Sequence, residues 1–251
     1  MITIKNKIAA QKMAVAGKNL ASIFNEISEI IVFGISTLDI DAFVVERLKK
    51  HNMISKSKGY MGYKYSSCIS VNEEIVHGVP SATRRLQSGD LVKVDVCASW
   101  KGYCADMARC FFVDGKPGVE ESIKLVEVAQ KALDAGIEKA YAGNRLGDIS
   151  AAIQGVIEVS GFGIVKDFAG HGIGKEMHED PEVLNYGKAG KGLILRSGMA
   201  LALEPMITLG SPTVSILKDG WTAITKDKSW AAHVEDTIFI TDEGPLILTR
   251  N

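Results

Sequence analysis

Residues 91–112, LVKVDVCASWKGYCADMARCFF, place two carboxylates inside sequence that otherwise reads as buried strand. The stretch reads as a hairpin, LVKVDVCASW and YCADMARCFF on either side of a turn at Lys101-Gly102. In the first strand Val92, Val94 and Val96 share one face, so Asp95 points to the other, between Lys93 and Cys97. Asp106 stands in the middle of the second strand. The same oddity recurs twice near the C-terminus. Glu204 interrupts MALALEPMI, where Pro205 favours extended geometry for the residue before it and so a strand, and Glu235 lies in AAHVEDTIFI. An apolar setting charges several kcal/mol for a carboxylate unless the group is paired or bound to a cation. Four converging carboxylates would also repel one another, and these segments hold too few lysines to neutralise them. A pair of metal ions resolves both problems.

Around these segments the order of elements repeats. Residues 7–32 carry Ile8, Met13, Val15, Leu20, Ile23, Ile27 and Ile30 at helical spacing, with Gly34 as the stop. Ser36 or Thr37 can cap a second helix running to about His51. SCISV and the hairpin follow. A long amphipathic helix is then expected from about Val119 to Tyr141 and another from Leu146 to Ser160, ended by Gly161. Strands are expected at Gly163 to Phe168, Met199 to Leu209 and Ala232 to Thr241. Two helices followed by strands, twice over, predict two related halves, about 1–115 and 116–251, around a shared site in one continuous domain. The repeat is one of order, without obvious residue identity, and no Pro-rich or Ser-rich linker divides it.

Histidines supply the remaining signal. FAGHGIGKEMHEDP, residues 168–181, holds His171 and His178 among glycines that suggest a tight turn bringing backbone close to a bound group. No Ser or Thr follows Gly174-Lys175, so this is not a P-loop, and Gly170, Gly172 and Gly174 do not make the dinucleotide spacing. His178-Glu179 opens like HExxH, but Glu182 stands where the second His should be and Pro181 would disrupt the helix. His77, in SVNEEIVHGVP, completes the set. His51 reads as a helix-end cap. His233, two residues before Glu235 and so on its face, reads chiefly as structural, with support of the site as the lesser reading.

Composition excludes several function classes. The 251 residues are 46% hydrophobic and 24% charged with a net charge of -1, which offers no basic field for nucleic acid or an anionic membrane. The N-terminus has no unbroken apolar run, so no signal peptide is expected, and Ile30 to Phe33 is too short to span a bilayer. Cys68, Cys97, Cys104 and Cys110 form no CxxC pair and read as free thiols of a cytosolic protein.

Asp95 and Asp106, GHGIG with His171, His178 followed by acid and Pro, LEP with Glu204, and Glu235 before Thr237 together resemble the type I, bacterial-like methionine aminopeptidases over nearly the whole chain. The resemblance implies an α+β "pita-bread" fold, two pseudo-symmetric halves around a central antiparallel sheet. It implies two divalent metal ions, with Asp95 on one metal, Asp106 and Glu235 bridging, and His171 and Glu204 completing the shell. Manganese, iron(II), cobalt and zinc all suit this oxygen-rich donor set. It further implies removal of the initiator methionine when the second residue is small, by attack of metal-activated water. Glu204 would shuttle the proton, while His77 and His178 would hydrogen-bond the substrate. Tyr60, Tyr63, Cys68, Met177 and Trp221 match the methionine pocket. The implied partners are methionyl peptides and nascent chains, with the ribosome as a further candidate, and a monomer is expected. Because the chain begins Met-Ile, its own first residue is expected to be retained.

The chain departs from the family pattern near Lys64, where a Pro is usual, and at Cys97, Met107, Ala108, Met177, Ala202 and Asp236. Residues 107–108 are commonly Thr-Ser, and Asp236 stands in place of a usual His. None of these removes a ligand, but their neighbours are the ligands, and Cys97 puts a thiol on the face of Asp95. Two alternatives stay open. A proline-directed aminopeptidase or dipeptidase of the same fold would be expected to carry an additional N-terminal domain. A non-catalytic peptide- or ribosome-binding relative would be expected to have lost ligands.

Overall fold

The computed structural model describes residues 2–250, so the expectation about the initiator methionine lies outside the described residues. Four α-helices are found among them: α1 (Lys7–Ser28), α2 (Thr37–Lys50), α3 (Glu121–Ile137) and α4 (Leu146–Ser160). Asn6 caps α1 and Ser36 caps α2, the latter in a reciprocal box with Asp39. His51 closes α2 and Gly161 closes α4, both as anticipated. The first helix stops earlier than its apolar spacing suggests. Beyond Glu29 the backbone turns to other partners, Phe33 N–H donating to Asp114 and Gly34 N–H to Leu86 C=O, and these bonds replace a further helical turn.

The strands of the first half are β1 (Ile54–Ser55), β2 (Cys68–Val71), β3 (Glu74–Val76), β4 (Leu91–Trp100) and β5 (Tyr103–Phe112). The second half supplies β6 (Gly163–Ile164), β7 (Gly170–Gly172), β8 (Glu179–Val183), β9 (Ala200–Leu203), β10 (Met206–Thr208), β11 (Val214–Ile216), β12 (Ala223–Thr225), β13 (Ala231–His233), β14 (Glu235–Ile240) and β15 (Pro245–Ile247). Among the described residues the main sheet runs β1-β4-β5-β14-β9-β7-β8, with β2 also on β4 and β15 also on β14. Every pairing in it is antiparallel, and the two halves meet where β14 lies along β5, Glu235 opposite Ala108. The hairpin β4–β5 is in register from Leu91↔Phe112 to Trp100↔Tyr103, as its sequence predicts.

Each helix pair packs on its own half of the sheet. Val92, Val94, Val96 and Ala98 meet Leu20, Ile23, Phe24 and Val44 of α1 and α2. Leu201, Leu203, Ile238 and Ile240 meet Leu133, Ile149 and Ile153 of α3 and α4. Because strand side chains alternate, Asp95, Asp106 and Glu235 face away from the helices.

Two expected strands are interrupted, and both interruptions serve the site. The stretch from Met199 to Leu209 divides into β9 and β10 at Glu204-Pro205, so Glu204 lies between strands rather than within one. Pro205 has no N–H for a ladder, and the chain steps there from the main sheet to a smaller one, in which β10 pairs with β13 and β6. Val234 divides β13 from β14 beside it, with its N–H on Pro205 C=O. The strand expected from Gly163 to Phe168 shortens to Gly163–Ile164. The glycines of GHGIG do not make the tight turn expected of them. Gly170 and Gly172 lie in β7, where an added Cβ would overlap Ala202 C=O and Asp180 C=O, so they permit close strand packing around His171.

Gly17 shows the same use of missing volume in a helix. Ala is favoured over Gly in a helix by about 1 kcal/mol, yet a Cβ here would overlap the carbonyl group of Leu248. Gly17→Ala is therefore expected to destabilise the protein by about 1–3 kcal/mol in urea unfolding, as overpacked sites do. A gain in stability would mean that the C-terminal segment is not held against α1.

Candidate metal centre and active site

Asp106, His171 and Glu235 each offer a ligand atom within 4.8 Å of the others, and the group can hold a metal ion. His171 Nε2 lies 3.9 Å from Asp106 and 3.5 Å from Glu204, while His233 Nε2 lies 3.5 Å from the other Glu204 oxygen. Asp95, one strand over and opposite Ala108, lines the same cavity of about 110 Å³. The five expected ligands thus converge, the closest group being three of them.

The electrostatics are those of a cation site with its charge withheld. Burial pushes the Asp106 carboxyl up to about 7, with the Glu204 charge adding to it. Burial also raises Asp95, Glu204 and Glu235, and neighbouring carboxylates raise Asp95 and Glu235 further. Lys93 is buried on the same strand face as Asp95 but donates to Asn72 C=O, so it does not neutralise the cluster. Glu235 Oε1 and His233 Nε2 are buried without a hydrogen-bond partner. An orphaned oxygen beside three further carboxylates fits divalent cations, which accept oxygen and imidazole donors together. His171 is prepared for that role. Its Nδ1 lies 2.9 Å from Gly172 C=O, which can only accept, so Nδ1 carries the hydrogen and the Nε2 lone pair faces the acids.

The remaining expected residues surround this cluster. His77, His178, Tyr60, Tyr63, Cys68, Met177 and Trp221 all line the cavity, and Cys97 and Ser57 join them. Tyr63 packs edge-on to Trp221 at 5.0 Å and donates its hydroxyl to Ser67 and Gly78 carbonyls. His178 stands edge-on to His171 at 4.5 Å and to Tyr60 at 5.1 Å. Burial holds His77, His171 and His233 down to about 4, so these rings are neutral at pH 7.

Sequence reasoning underweighted two features. His233 reads from sequence chiefly as structural, yet it is buried beside Glu204, because the break at Val234 still leaves it turned to the site. The departure at Asp236 is answered by partners that spacing could not reveal. This carboxylate, fully buried on the helix side of β14, accepts from Arg109 at 2.5 Å, Thr249 at 2.7 Å and Arg250 at 2.7 Å. Arg109 also donates to Glu235 C=O, and Thr237 Oγ1 bonds both Asp106 N–H and C=O. Thr237 and Arg109 therefore brace the backbone of Asp106 and Glu235, while Thr249 and Arg250 fasten the Asp236 carboxylate between them.

The family model for metallopeptidase family M24 matches residues 11–242. The chain belongs to metallopeptidase family M24. It is 46% identical to a methionine aminopeptidase of Clostridium acetobutylicum over 99% of each chain. Its structure matches a crystal structure of methionine aminopeptidase from Thermotoga maritima with a TM-score of 0.97, at 43% identity and over all of both chains. Prolidase from Pyrococcus furiosus shares the fold, with a TM-score of 0.76 at 24% identity, but this chain covers 65% of it. The fold is accordingly the α+β pita-bread arrangement, and the metallopeptidase is a hydrolase. Among the described residues no helix is long and apolar enough to cross a membrane.

The crowded acids generate a stability prediction. A carboxyl whose pKa is raised by folding stabilises below its unfolded pKa, and that stability is lost as pH rises through the folded value. The buried histidines act in the opposite sense, but their effect on the slope fades as pH rises above about 6.5. Lys93, held down to about 8, contributes only at higher pH. From about pH 6.5 to 7.5 the acids therefore dominate, and metal-free protein is expected to lose melting temperature as pH rises, a slope that added Mn(II) or Zn(II) removes. A flat or rising metal-free profile in calorimetry over that window would contradict the crowded, cation-seeking cluster.

Proposed function

We propose that this chain removes the N-terminal methionine of peptides and nascent chains when the second residue is small, using two divalent cations. The observation that carries the reading is the convergence of Asp106, His171 and Glu235, with Asp95 and Glu204, in one cavity with an apolar, aromatic wall. The five side chains would hold the metals, and manganese, iron(II), cobalt or zinc would suit them. When bound, such ions polarise a peptide carbonyl and make water acidic near neutral pH.

The protein's own groups supply the rest of the chemistry. Glu204 is 12% exposed at the cavity, has a raised pKa and borders both His171 and His233, which fits a carboxylate that takes a proton from water and passes it to the leaving amine. His77 and His178 are held neutral-favouring by burial and can hydrogen-bond the scissile amide and the oxygen that becomes negative. Tyr60, Tyr63, Cys68, Met177 and Trp221 offer an unbranched thioether side chain a narrow, apolar surround. The limit to small second residues follows from the family resemblance. The proline-directed alternative has only the shared fold in its favour.

Purified protein loaded with Mn(II), Fe(II), Co(II) or Zn(II) is expected to release methionine from Met-Ala-Ser and to stop on chelation. No release with any metal would sink the reading. Glu204→Gln is expected to lower kcat by about 10²–10⁴-fold with unchanged circular dichroism, since it keeps the shape and removes the base. His77→Ala is expected to lower kcat by about 10²–10³-fold, the usual result of removing one donor to a developing oxyanion. Near-normal turnover in either variant would remove that residue from its assigned role.

A further inference from the structure

Tyr60 belongs to the wall of the methionine pocket by position, but its hydroxyl does something a wall does not require. It lies 3.0 Å from His178 Nδ1. The segment that presents it is wound tightly, with left-handed φ values at Gly59 (92°), Met61 (45°) and Gly62 (90°) around a single turn at Tyr60–Gly62. The unfavourable conformation at Met61 does not serve to bury Met61, which is 80% exposed. Tyr63 anchors the far end of the turn by its bonds to Ser67 and Gly78 carbonyls. What the strained turn secures is the placement of Tyr60 against His178.

The consequence is a choice of tautomer. A neutral imidazole carries its hydrogen on one nitrogen and a lone pair on the other, and the partner of one nitrogen decides the state of the other. His171 shows one outcome, with Gly172 C=O accepting from Nδ1 and the lone pair left on Nε2. A tyrosine hydroxyl, unlike a carbonyl, can donate. We propose that Tyr60 donates to His178 Nδ1 and thereby keeps the hydrogen of His178 on Nε2, making this ring a hydrogen-bond donor to the substrate while its neighbour His171 offers a lone pair. Tyr60 is thus a positioning residue for the reaction as well as a wall of the pocket. The inference rests on the donor role proposed above for His178.

Tyr60→Phe separates the two functions, because it keeps the ring and removes only the hydroxyl. The variant is expected to lower kcat about tenfold, with KM for methionyl peptides changed less than about twofold and metal affinity by calorimetry unchanged. In zinc-loaded protein, which is diamagnetic, the ¹⁵N shifts of His178 should report a single Nε2–H tautomer in the wild type and a mixture in Tyr60→Phe. His178→Ala, measured alongside, distinguishes the readings. Slow His178→Ala with wild-type kcat and an unaltered His178 spectrum in Tyr60→Phe would overturn this inference alone. Wild-type kcat in His178→Ala would overturn the role of His178 and this inference together.

Discussion

Asp95, Asp106, Glu204 and Glu235 share one buried cavity, where little water remains to screen each carboxylate from the others. Burial and mutual repulsion both act against ionisation, and the buried histidines beside them are neutral at pH 7. Such an arrangement persists only in a framework stiff enough to hold it, and much of the molecule reads as that framework. Two helix pairs clamp the two halves of the sheet from behind. The acids are left on the face where no helix lies, and the β5–β14 seam brings Asp106 and Glu235 together from opposite halves.

The braces along that seam tie the backbone of Asp106 and Glu235 and the side chain of Asp236. Arg109 reaches Glu235 C=O, Thr237 clasps both backbone groups of Asp106, and Thr249 and Arg250 fasten the neighbouring Asp236. Fixing the main chain leaves the carboxylates free to serve a cation while their Cα positions stay constant. It also gives the departures from the family pattern a local logic. Asp236 in place of the usual His is paired with two guanidinium groups, a self-consistent alternative on the side of the sheet away from the reacting atoms.

Around the cavity, histidines of one type are put to different uses by their second nitrogen. Gly172 C=O prepares His171 to give a lone pair, and the Tyr60 hydroxyl is proposed to prepare His178 to give a hydrogen bond. His233 stands beside Glu204 with its Nε2 unpartnered among the described residues, a third environment for the same ring. In the proposed function, this division of labour by environment is what would let a small cavity bind a cation, handle a proton and orient an amide with few residue types.

The sequence by itself determined the helices with their caps at Ser36 and Gly161, the β4–β5 hairpin and the carboxylates that had no business in apolar strands. These are local signals, set by alternation, helical spacing and the energy of burying a charge. Tertiary structure alone decided where Glu204 and Glu235 sit, at the paired breaks around Pro205 and Val234 where the chain changes sheets, because register between distant strands leaves no mark in either strand. It likewise gave GHGIG its purpose as close packing, Asp236 its arginines and Tyr60 its histidine. Each of those depends on which backbone or side chain arrives from a remote part of the chain, and no spacing within a segment encodes that arrival.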